Sequence, residues 1–195
     1  GDSVLKVLDT HDVFTRRHLL YQQAGQAYGW YCTTAAEEAR GLSRADVVIA
    51  IQEQEQQYFS TITKKKIVTV RHIAPLCKLS DVQLSRKKIL FVGSDAGTNI
   101  HGIKIFVTEI LPRIRSAFPG LNLLIVGRIC DKLDNVDGCV KLGNVEDLAM
   151  IYSTVDVVVN PIQFSTGLSI KTIEALGHAR PVVTTSSGSK GLEDG

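Results

Sequence analysis

Short runs of apolar residues alternate with helical segments along nearly the whole chain of 195 residues. The runs are rich in valine, isoleucine and leucine, and several of them end in glycine or asparagine. We predict strands at 4–9, 46–51, 66–71, 88–93, 122–127, 139–142, 156–160 and 181–185. Continuous apolar strands separated by helices are typical of parallel sheets that are covered on both faces. The alternation therefore predicts an α/β fold of parallel sheets with helices on both faces.

The segments between the strands have the apolar spacing of helices. We predict helices at 14–24, 34–44, 52–59, 103–114, 144–152 and 166–178. Thr34 and Glu37 have the spacing of a capping box, and Asn144 with Asp147 resembles one in which Asp replaces Glu. Pro112 predicts a kink or break in its helix, because proline lacks the N–H that a helix interior needs.

One aperiodic stretch that contains Pro75 interrupts the alternation. Stretches of this kind between periodic segments are candidate domain boundaries. We therefore predict a first domain at 1–72, a linker at 73–87 and a second domain at 88–195.

Composition and charge point to no particular class of macromolecular partner. The hydrophobic fraction is 44%, the charged fraction 22% and the net charge +2, so bulk charge favours neither nucleic acid nor a membrane as a partner. No apolar run approaches the roughly 20 residues that a membrane-spanning helix needs. The four cysteines show no zinc-site spacing. Free thiols in a reducing cytosol are the favoured interpretation, and a Cys130–Cys139 pair is the alternative.

Ligands of parallel sheets bind beyond the carboxyl ends of the strands. The predicted ends that carry polar residues or glycine are 10–12, 93–94, 127–128, 143–144 and 160–167. Arg128 is suited to phosphate or ribose there, and a solvated surface arginine is the alternative. The loop 93–99 contains Gly93, Ser94 and Asn99 and could approach a phosphate closely, although it matches no established phosphate-binding motif.

The segment 160–176 carries the strongest signal. An apolar strand ends in a loop that contains Gly167, and a predicted helix follows with Lys171 and Glu174 three residues apart. A helix start offers free N–H groups and a positive dipole end, which suit phosphate. The segment therefore predicts a nucleotide-sugar pocket with donors for a diphosphate and an acceptor for hydroxyl groups. A structural salt bridge between Lys171 and Glu174 is the alternative.

A second polar group lies at the first predicted strand end, where His11 is flanked by Asp9 and Asp12. Such a histidine could carry out acid–base work or orient a substrate hydroxyl group. The alternative is structural, with His11 ending the strand and Asp12 capping the next helix.

These motifs together resemble the retaining nucleotide-sugar glycosyltransferases of family four (glycosyl transferases group 1), which have the GT-B architecture of two Rossmann-like domains. The segments that carry the resemblance follow the family's order and are 8–12, 43–51, 89–94, 124–127, 142–148, 166–176 and 180–185. The resemblance implies transfer of a sugar, as a hexosyltransferase-like enzyme, from a nucleoside-diphosphate sugar to an acceptor hydroxyl with retention of configuration. It implies no metal and no cofactor, because the nucleoside-diphosphate sugar is itself the donor substrate.

The resemblance also implies roles for individual residues. Glu174 matches the second Glu of the family's E-x7-E motif, which binds the donor ribose. Gly167 and Leu168 match positions near the diphosphate, and Lys171 would lie near the phosphates. Val145 matches the loop at the nucleobase. His11 matches the active-site histidine that faces the transferred sugar, so that His11 and Lys171 are the implied catalytic residues.

Three positions depart from the family pattern. Thr166 stands where the first Glu of the motif is expected, and Ser94 and Asn99 stand where the family usually has Arg and Lys. Arg128 and Lys171 are the candidates to replace those cations. A nucleotide-sugar epimerase of the same architecture and a non-catalytic nucleotide-sugar binding module are the alternative functions.

The resemblance finally implies that the chain is an incomplete enzyme, with more sheet before Val4 and further strands and helices after Gly195. Residues 1–72 would be the C-terminal part of the acceptor-side Rossmann-like domain, and 88–195 would be the donor (nucleotide-sugar) binding Rossmann-like domain, truncated at its C-terminus. The acceptor would be a glycan, a lipid-linked hydroxyl or a small molecule, as in cell-surface polysaccharide biosynthesis. The implied location is the cytoplasm, or the inner face of the membrane through contacts of the missing N-terminal part, with no nucleic acid partner.

Overall fold

The computed structural model describes residues 4–27, 31–77, 87–165 and 167–192. The chain divides into two compact units, which are treated separately below. The first contains the described residues up to His72 together with those of Phe164–Leu168 and those from Lys190 onward. The second contains Ile73–Gln163 and Ser169–Ser189, again for the described residues.

The first unit is a three-stranded parallel sheet with helices between its strands. Its elements are β1 (Val7–Asp9), α1 (Arg17–Gln23), α2 (Ala35–Leu42), β2 (Val47–Ala50), α3 (Glu53–Ile62) and β3 (Lys66–Thr69). The strand order is β1-β2-β3, and Val47 pairs with both Val7 and Lys66. A small core of buried side chains holds the sheet to its helices: Leu42, Ala45, Val48, Ala50 and Phe59.

Helix α2 begins where the sequence predicts. The Thr34 hydroxyl accepts a hydrogen bond from the Glu37 N–H at 3.3 Å, and the Glu37 carboxylate accepts one from the Thr34 N–H at 3.3 Å. The predicted capping box is therefore confirmed, and it satisfies donors that a helix start would otherwise leave open.

The second unit is a five-stranded parallel sheet in the order β6-β5-β4-β7-β8. Its elements are β4 (Lys88–Val92), α4 (Gly97–Ile105), α5 (Leu111–Ala117), β5 (Asn122–Val126), β6 (Cys139–Gly143), α6 (Leu148–Thr154), β7 (Val157–Asn160), α7 (Ile170–Gly177) and β8 (Val182–Thr184). Helices lie on both faces of the sheet, so the predicted fold class is confirmed.

Alternation of side chains along β4 explains the two layers of core. Ile89 and Phe91 point to one face, where they join a cluster with residues of α4 and α5. Leu90 points to the other face and joins a cluster with Tyr152 of α6 and Ala175 of α7. Both faces of the central strand are thus buried, which is why its sequence is a continuous apolar run.

The predicted break near Pro112 takes the form of a wide helical turn. Helix α4 already begins at Gly97, a π-helical turn spans Phe106–Ile110, and α5 follows with Pro112 near its start. Proline removes one backbone donor and crowds the carbonyl four residues earlier. A widened turn before Pro112 relieves that crowding while both helical segments stay on the same face of the sheet.

Two other predictions of helix boundaries need correction, and one short helix was missed. The helix predicted at 166–178 begins only at Ile170, after Ser169. The helix predicted from Asn144 begins at Leu148, and Asp147 caps it by accepting from the Ala149 N–H at 2.8 Å. The capping box at 144–147 was therefore wrong. A short 3-10 helix at Arg128–Lys132 was not predicted.

The predicted linker 73–87 falls largely on residues outside the described ranges, since 78–86 are not described. All four cysteines are free. Within the described ranges, no helix has both the length and the apolar character needed to cross a bilayer.

Candidate functional site

The strand order of the second unit creates a switch point between β4 and β7. The chain leaves β4 toward β5 on one side, whereas it leaves β7 toward β8 on the other. Such reversals open a crevice at the carboxyl ends of the strands, where ligands of doubly wound sheets bind. The loops that begin at Gly93 and at Pro161 border this crevice.

Hydrogen bonds tie the strand ends beside the switch point together. The Gly93 N–H donates to the Val126 carbonyl at 2.9 Å, and the Gly127 N–H donates to the Gly143 carbonyl at 2.7 Å. A Cβ at Gly93 would lie 2.7 Å from a ring carbon of Phe91, so only glycine fits there without displacing the ring. The loop after β4 is therefore held close to its neighbours.

Asn99 organises the loop after β4. It is buried in α4, and its side-chain amide donates to the Ser94 carbonyl at 3.2 Å and to the Ser94 hydroxyl at 3.1 Å. Its amide oxygen accepts a hydrogen bond from the ammonium group of Lys171, which lies 72 residues further along the chain. The structure thus brings together three of the predicted site residues: Ser94, Asn99 and Lys171.

Lys171 has an aromatic neighbour in addition to Asn99. Its Nζ lies 5.2 Å from the centre of the Phe91 ring, a distance at which a cation and a ring attract each other. Burial lowers the pKa of Lys171 to about 8. Among the described residues, no carboxylate pairs with it, so its charge is available to an anion.

The start of α7 supplies further donors. The Ser169 hydroxyl accepts from the Asn160 amide at 2.7 Å and lies 3.1 Å from the Thr172 hydroxyl, and it does not cap the helix. The backbone N–H groups of Ile170 and Lys171 have no acceptor in the part of the chain that the structure describes. Free donors and the positive end of the helix therefore lie beside the Lys171 ammonium.

Sequence reasoning missed Asn160, which anchors this arrangement. Asn160 is fully buried and donates to both Ser169 and Thr172, while its carbonyl accepts from the Thr184 hydroxyl at 2.9 Å. Thr172 also donates to the Gly188 carbonyl at 2.9 Å. The available signal was an asparagine directly after three valines, because a buried amide at a strand end needs partners.

Arg128 is less available than the sequence suggests. Its guanidinium lies 3.2 Å from the Asp95 carboxylate, and 66% of its side chain is exposed. The pair joins the loop after β4 to the turn after β5. Asp95 therefore offsets part of the charge that was expected to act on a phosphate.

Glu174 and Val145 lie near the core cluster that contains Tyr152. Burial raises the pKa of the Tyr152 hydroxyl, and the nearby charge of Glu174 adds to that effect. Val145 packs against the cluster that contains Tyr152. No salt bridge joins Glu174 to Lys171 among the described residues, so the structural alternative for this pair is not observed.

The candidate residues of the first unit have a different setting. His11 has a left-handed backbone (φ 57°), and its side chain is 81% exposed with Nε2 3.9 Å from the Asp9 carboxylate. Asp12 accepts from the Val13 N–H at 2.8 Å and pairs with Arg17 at 2.9 Å. Since α1 begins at Arg17, Asp12 does not cap that helix.

The predicted residues after Ser165 divide between the described units. Gly167 and Leu168 belong to the first unit, where a Cβ at Gly167 would lie 3.4 Å from the Asp12 carboxyl carbon. Lys171 and Glu174 belong to the second unit. Thr166 lies outside the described residues, so its role stays a prediction.

A groove of about 490 Å³ also runs along one sheet face of the second unit. Apolar side chains such as Ile110, Phe118 and Val183 dominate its lining, and few polar groups converge on it. Its few polar lining residues, such as Lys88, Gln163 and Thr185, make it less suited to a phosphate than the crevice beside Lys171. The described residues contain no cluster of three or more His, Cys, Asp or Glu side chains that could hold a metal ion.

Comparison with known proteins agrees with this architecture. Residues 86–195 match the family described as glycosyl transferases group 1. No curated protein sequence matches the chain. Among solved structures, the pneumococcal O-GlcNAc transferase GtfA, in complex with UDP and GlcNAc, is 17% identical with a TM-score of 0.67, and the match covers 92% of this chain and 37% of that one.

Two further structures are similar at the same level. TarM of S. aureus, in complex with fondaparinux, alpha-GlcNAc-glycerol and UDP, is 16% identical with a TM-score of 0.70, over 92% of this chain and 36% of that one. HepE of Anabaena, in complex with UDP and glucose, is 15% identical with a TM-score of 0.64, over 93% and 53%.

At these identities the structures show the fold, which is that of the GT-B glycosyltransferases. The chain spans between about a third and about half of the length of these three proteins. The family match extends over more than half of the chain itself. The chain belongs to the glycosyl transferases group 1 family.

Proposed function

We propose that the chain binds a nucleoside-diphosphate sugar and serves in the transfer of its sugar to an acceptor hydroxyl group, with retention and without a metal ion. One observation carries the proposal. The Lys171 ammonium lies at the switch-point crevice with only uncharged partners, beside the uncapped start of α7. A cation and free N–H groups of this kind suit a diphosphate.

The diphosphate would accept hydrogen bonds from Lys171 and from the backbone at the start of α7. The glycine-containing loop after β4 would lie along its other side, because Gly93 allows close approach of the main chain. These donors stabilise the negative charge that develops on the diphosphate as the sugar departs. Lys171 would therefore act on the leaving group.

Glu174 would accept hydrogen bonds from the ribose hydroxyls, and Val145 would border the nucleobase. Both residues are half-buried at the cluster around Tyr152, which supports a common groove for the nucleoside. A carboxylate accepts two hydroxyl donors well, as ribose recognition requires. His11, in the first unit, would face the transferred sugar.

In the proposed reaction, the bond between the anomeric carbon and the diphosphate oxygen breaks, and its electron pair stays with the diphosphate. The acceptor oxygen forms the new bond on the same face of the sugar. The acceptor proton passes to the departing phosphate oxygen, so atoms and charges balance. The named similar structures contain UDP, which makes UDP the first nucleotide to test.

Calorimetry with UDP tests the proposal. Glu174→Ala should weaken UDP binding about tenfold, since hydrogen bonds to a charged group are lost. Glu109→Ala removes an exposed carboxylate on the π-helical turn and is the matched control, expected to leave the affinity unchanged. Equal UDP affinity of Glu174→Ala and the unchanged protein would refute the ribose assignment.

A transfer assay with an intact enzyme that contains this chain tests the role of His11. His11→Ala should abolish most transfer while leaving UDP affinity near normal, because the residue would face the sugar. Loss of UDP binding instead would contradict that assignment.

A non-catalytic nucleotide-sugar binding module is the second candidate. Asn99 donates hydrogen bonds to Ser94, and Asp95 offsets the charge of Arg128, so the proposed diphosphate site depends mainly on the charge of Lys171. UDP binding by the intact enzyme without turnover of any nucleoside-diphosphate sugar would favour this candidate.

A further inference from the structure

The loop after β4 fixes the orientation of the Asn99 side chain. Both hydrogen-bond contacts of its Nδ2 are to Ser94, one to the backbone carbonyl and one to the hydroxyl. Because the amide nitrogen is engaged there, the amide oxygen must face the opposite way. That oxygen is the acceptor for the Lys171 ammonium. The first turn of α4 thus presents an acceptor of fixed direction to a residue of α7.

The partners of Lys171 are all neutral. Phe91 lies below the ammonium and is fully buried, and Asn99 is 7% exposed. Neither an amide nor a ring neutralises the charge, whereas a carboxylate would. A diphosphate that arrives at this ammonium therefore does not have to displace an existing ion pair.

None of the charged groups described on the surrounding elements pairs with Lys171. Asp95, in the loop after β4, pairs with Arg128 at 3.2 Å. The charge of Glu174, one turn along α7, acts on Tyr152. Burial alone lowers the pKa of Lys171, with no charge effect from these two residues or from His101 of α4. The amine therefore has a protonation state that an arriving anion can change.

We propose that Asn99, oriented by Ser94, is the positioning residue that aims the Lys171 amine at the donor diphosphate. Because Asn99 carries no charge, binding of the diphosphate is coupled to protonation of that amine. The inference rests on the proposed function, because it names how that same site holds its cation. It assigns Asn99 the role of directing Lys171, and it predicts that nucleotide affinity depends on pH.

The direction of the pH effect follows from the burial of Lys171. With a pKa of about 8, the amine is mostly charged at pH 7 and mostly neutral at pH 9. A bound diphosphate favours the charged form and raises that pKa. UDP affinity should therefore be near its maximum at about pH 7 and should fall as the pH rises above 8, with net uptake of protons on binding in that range.

Calorimetry of UDP binding by the full chain, from pH 7 to pH 9.5 in two buffers of different ionisation enthalpy, measures both effects. The terminal phosphate of UDP is already ionised there, since phosphate esters have a second pKa of about 6. Lys171→Arg keeps a charge that does not titrate in this range and should remove the pH dependence and the proton uptake. Lys104→Met, on the exposed side of α4, is the charge control and should behave as the unchanged protein.

Asn99→Asp is the decisive variant, since it keeps the size of the side chain. A carboxylate beside Lys171 should hold the amine charged, so the fall in UDP affinity should move to higher pH by at least one unit. Affinity at pH 7 should drop about tenfold, because the new charge repels the diphosphate. Asn99→Ala should also weaken UDP about tenfold but without the upward move in pH.

The two levels of the proposal fail in different ways. No UDP binding by the unchanged protein at any pH would overturn the proposed function itself. UDP binding with the same pH profile in the unchanged protein, Asn99→Asp and Lys171→Arg would overturn the positioning role while leaving nucleotide binding intact. Circular dichroism of each variant separates misfolding from a loss of binding, and the isosteric Asn99→Asp variant keeps the test available if Asn99→Ala does not fold.

Discussion

The backbone of Gly127 passes directly against the carbonyl oxygen of Gly93. A Cβ on Gly127 would lie 2.2 Å from that oxygen, and Gly127 itself has φ 106°. Two adjacent parallel strands, β4 and β5, thus end in glycines whose main chains touch. The closeness of these strand ends depends on the absence of a side chain at one position.

Gly127→Ala should therefore destabilise the fold by about 2 kcal/mol or more, through backbone strain and collision with a carbonyl. Gly97→Ala is the matched control, because no atom lies within 4 Å of its Cβ position and alanine is the better helix former. Urea unfolding should show a lower midpoint for Gly127→Ala and an equal or higher one for Gly97→Ala. Equal midpoints for the two variants would contradict the close approach of the strands.

The buried amide of Asn160 should be costly to replace. Asn160→Leu removes the donor to Ser169 and Thr172, and we expect a loss of about 2 kcal/mol, since buried polar groups lose their partner. Asn122→Leu, at an exposed strand start, should change stability by less than about 0.5 kcal/mol. Because Ser169 and Thr172 flank Lys171, UDP affinity should also fall in Asn160→Leu. Thermal unfolding and calorimetry check the two effects.

Glu55 should make the protein less stable as the pH rises. Burial raises the pKa of Glu55 from its usual 4.5 to about 7, and the charges of Asp12 and Glu38 add to that rise. Between these values the folded state holds a proton that the unfolded state releases. The stability due to this group is therefore full below pH 4.5 and is lost as the pH rises through about 7.

Glu55→Gln removes that titration. The Gln52 amide nitrogen now donates to Glu55, so this amide would turn over and its oxygen, which has no described partner, would accept from the new amide. Relative to the unchanged protein, the variant should gain roughly 2–3 kcal/mol between pH 4.5 and pH 8. Glu53→Gln should not show this gain, because Glu53 pairs with Arg71, which lowers its pKa. Unfolding curves at several pH values decide the matter, and a parallel response of both variants would be against burial as the cause.

The capping box of α2 should contribute a measurable share of stability. Thr34→Ala should cost about 1 kcal/mol, because it leaves an N–H at the helix start without its acceptor. Hydrogen bonds from Thr33 and Thr34 lower the pKa of Glu37, so part of the contribution is lost as the pH falls below 4.5. Thr61→Ala, on the exposed side of α3, is the control. Equal urea midpoints for the two variants would argue against the cap.

The strands were predictable because their apolar runs are continuous, as in Ile89–Phe91, where both faces are buried. The capping box at Thr34 was predictable because its signal is local. The start of α7 was not, since Gly167 to Ser169 look compatible with a helix while Asn160 recruits the Ser169 hydroxyl instead. The contact between Asn99 and Lys171 joins residues 72 positions apart and depends on strand order, which the alternation alone does not specify.

The wide turn at Phe106–Ile110 has a consequence for how this part of the chain tolerates change in length. A π-helical turn holds about one more residue than a turn of an ordinary α-helix. Deleting one residue there would restore regular α-helical winding but would bring the proline ring against the preceding turn. Pro112→Ala would instead keep the extra residue although no proline ring needs the space. We therefore expect that a one-residue deletion in this turn keeps the packing only when Pro112 is replaced as well, and that either change made alone disturbs it.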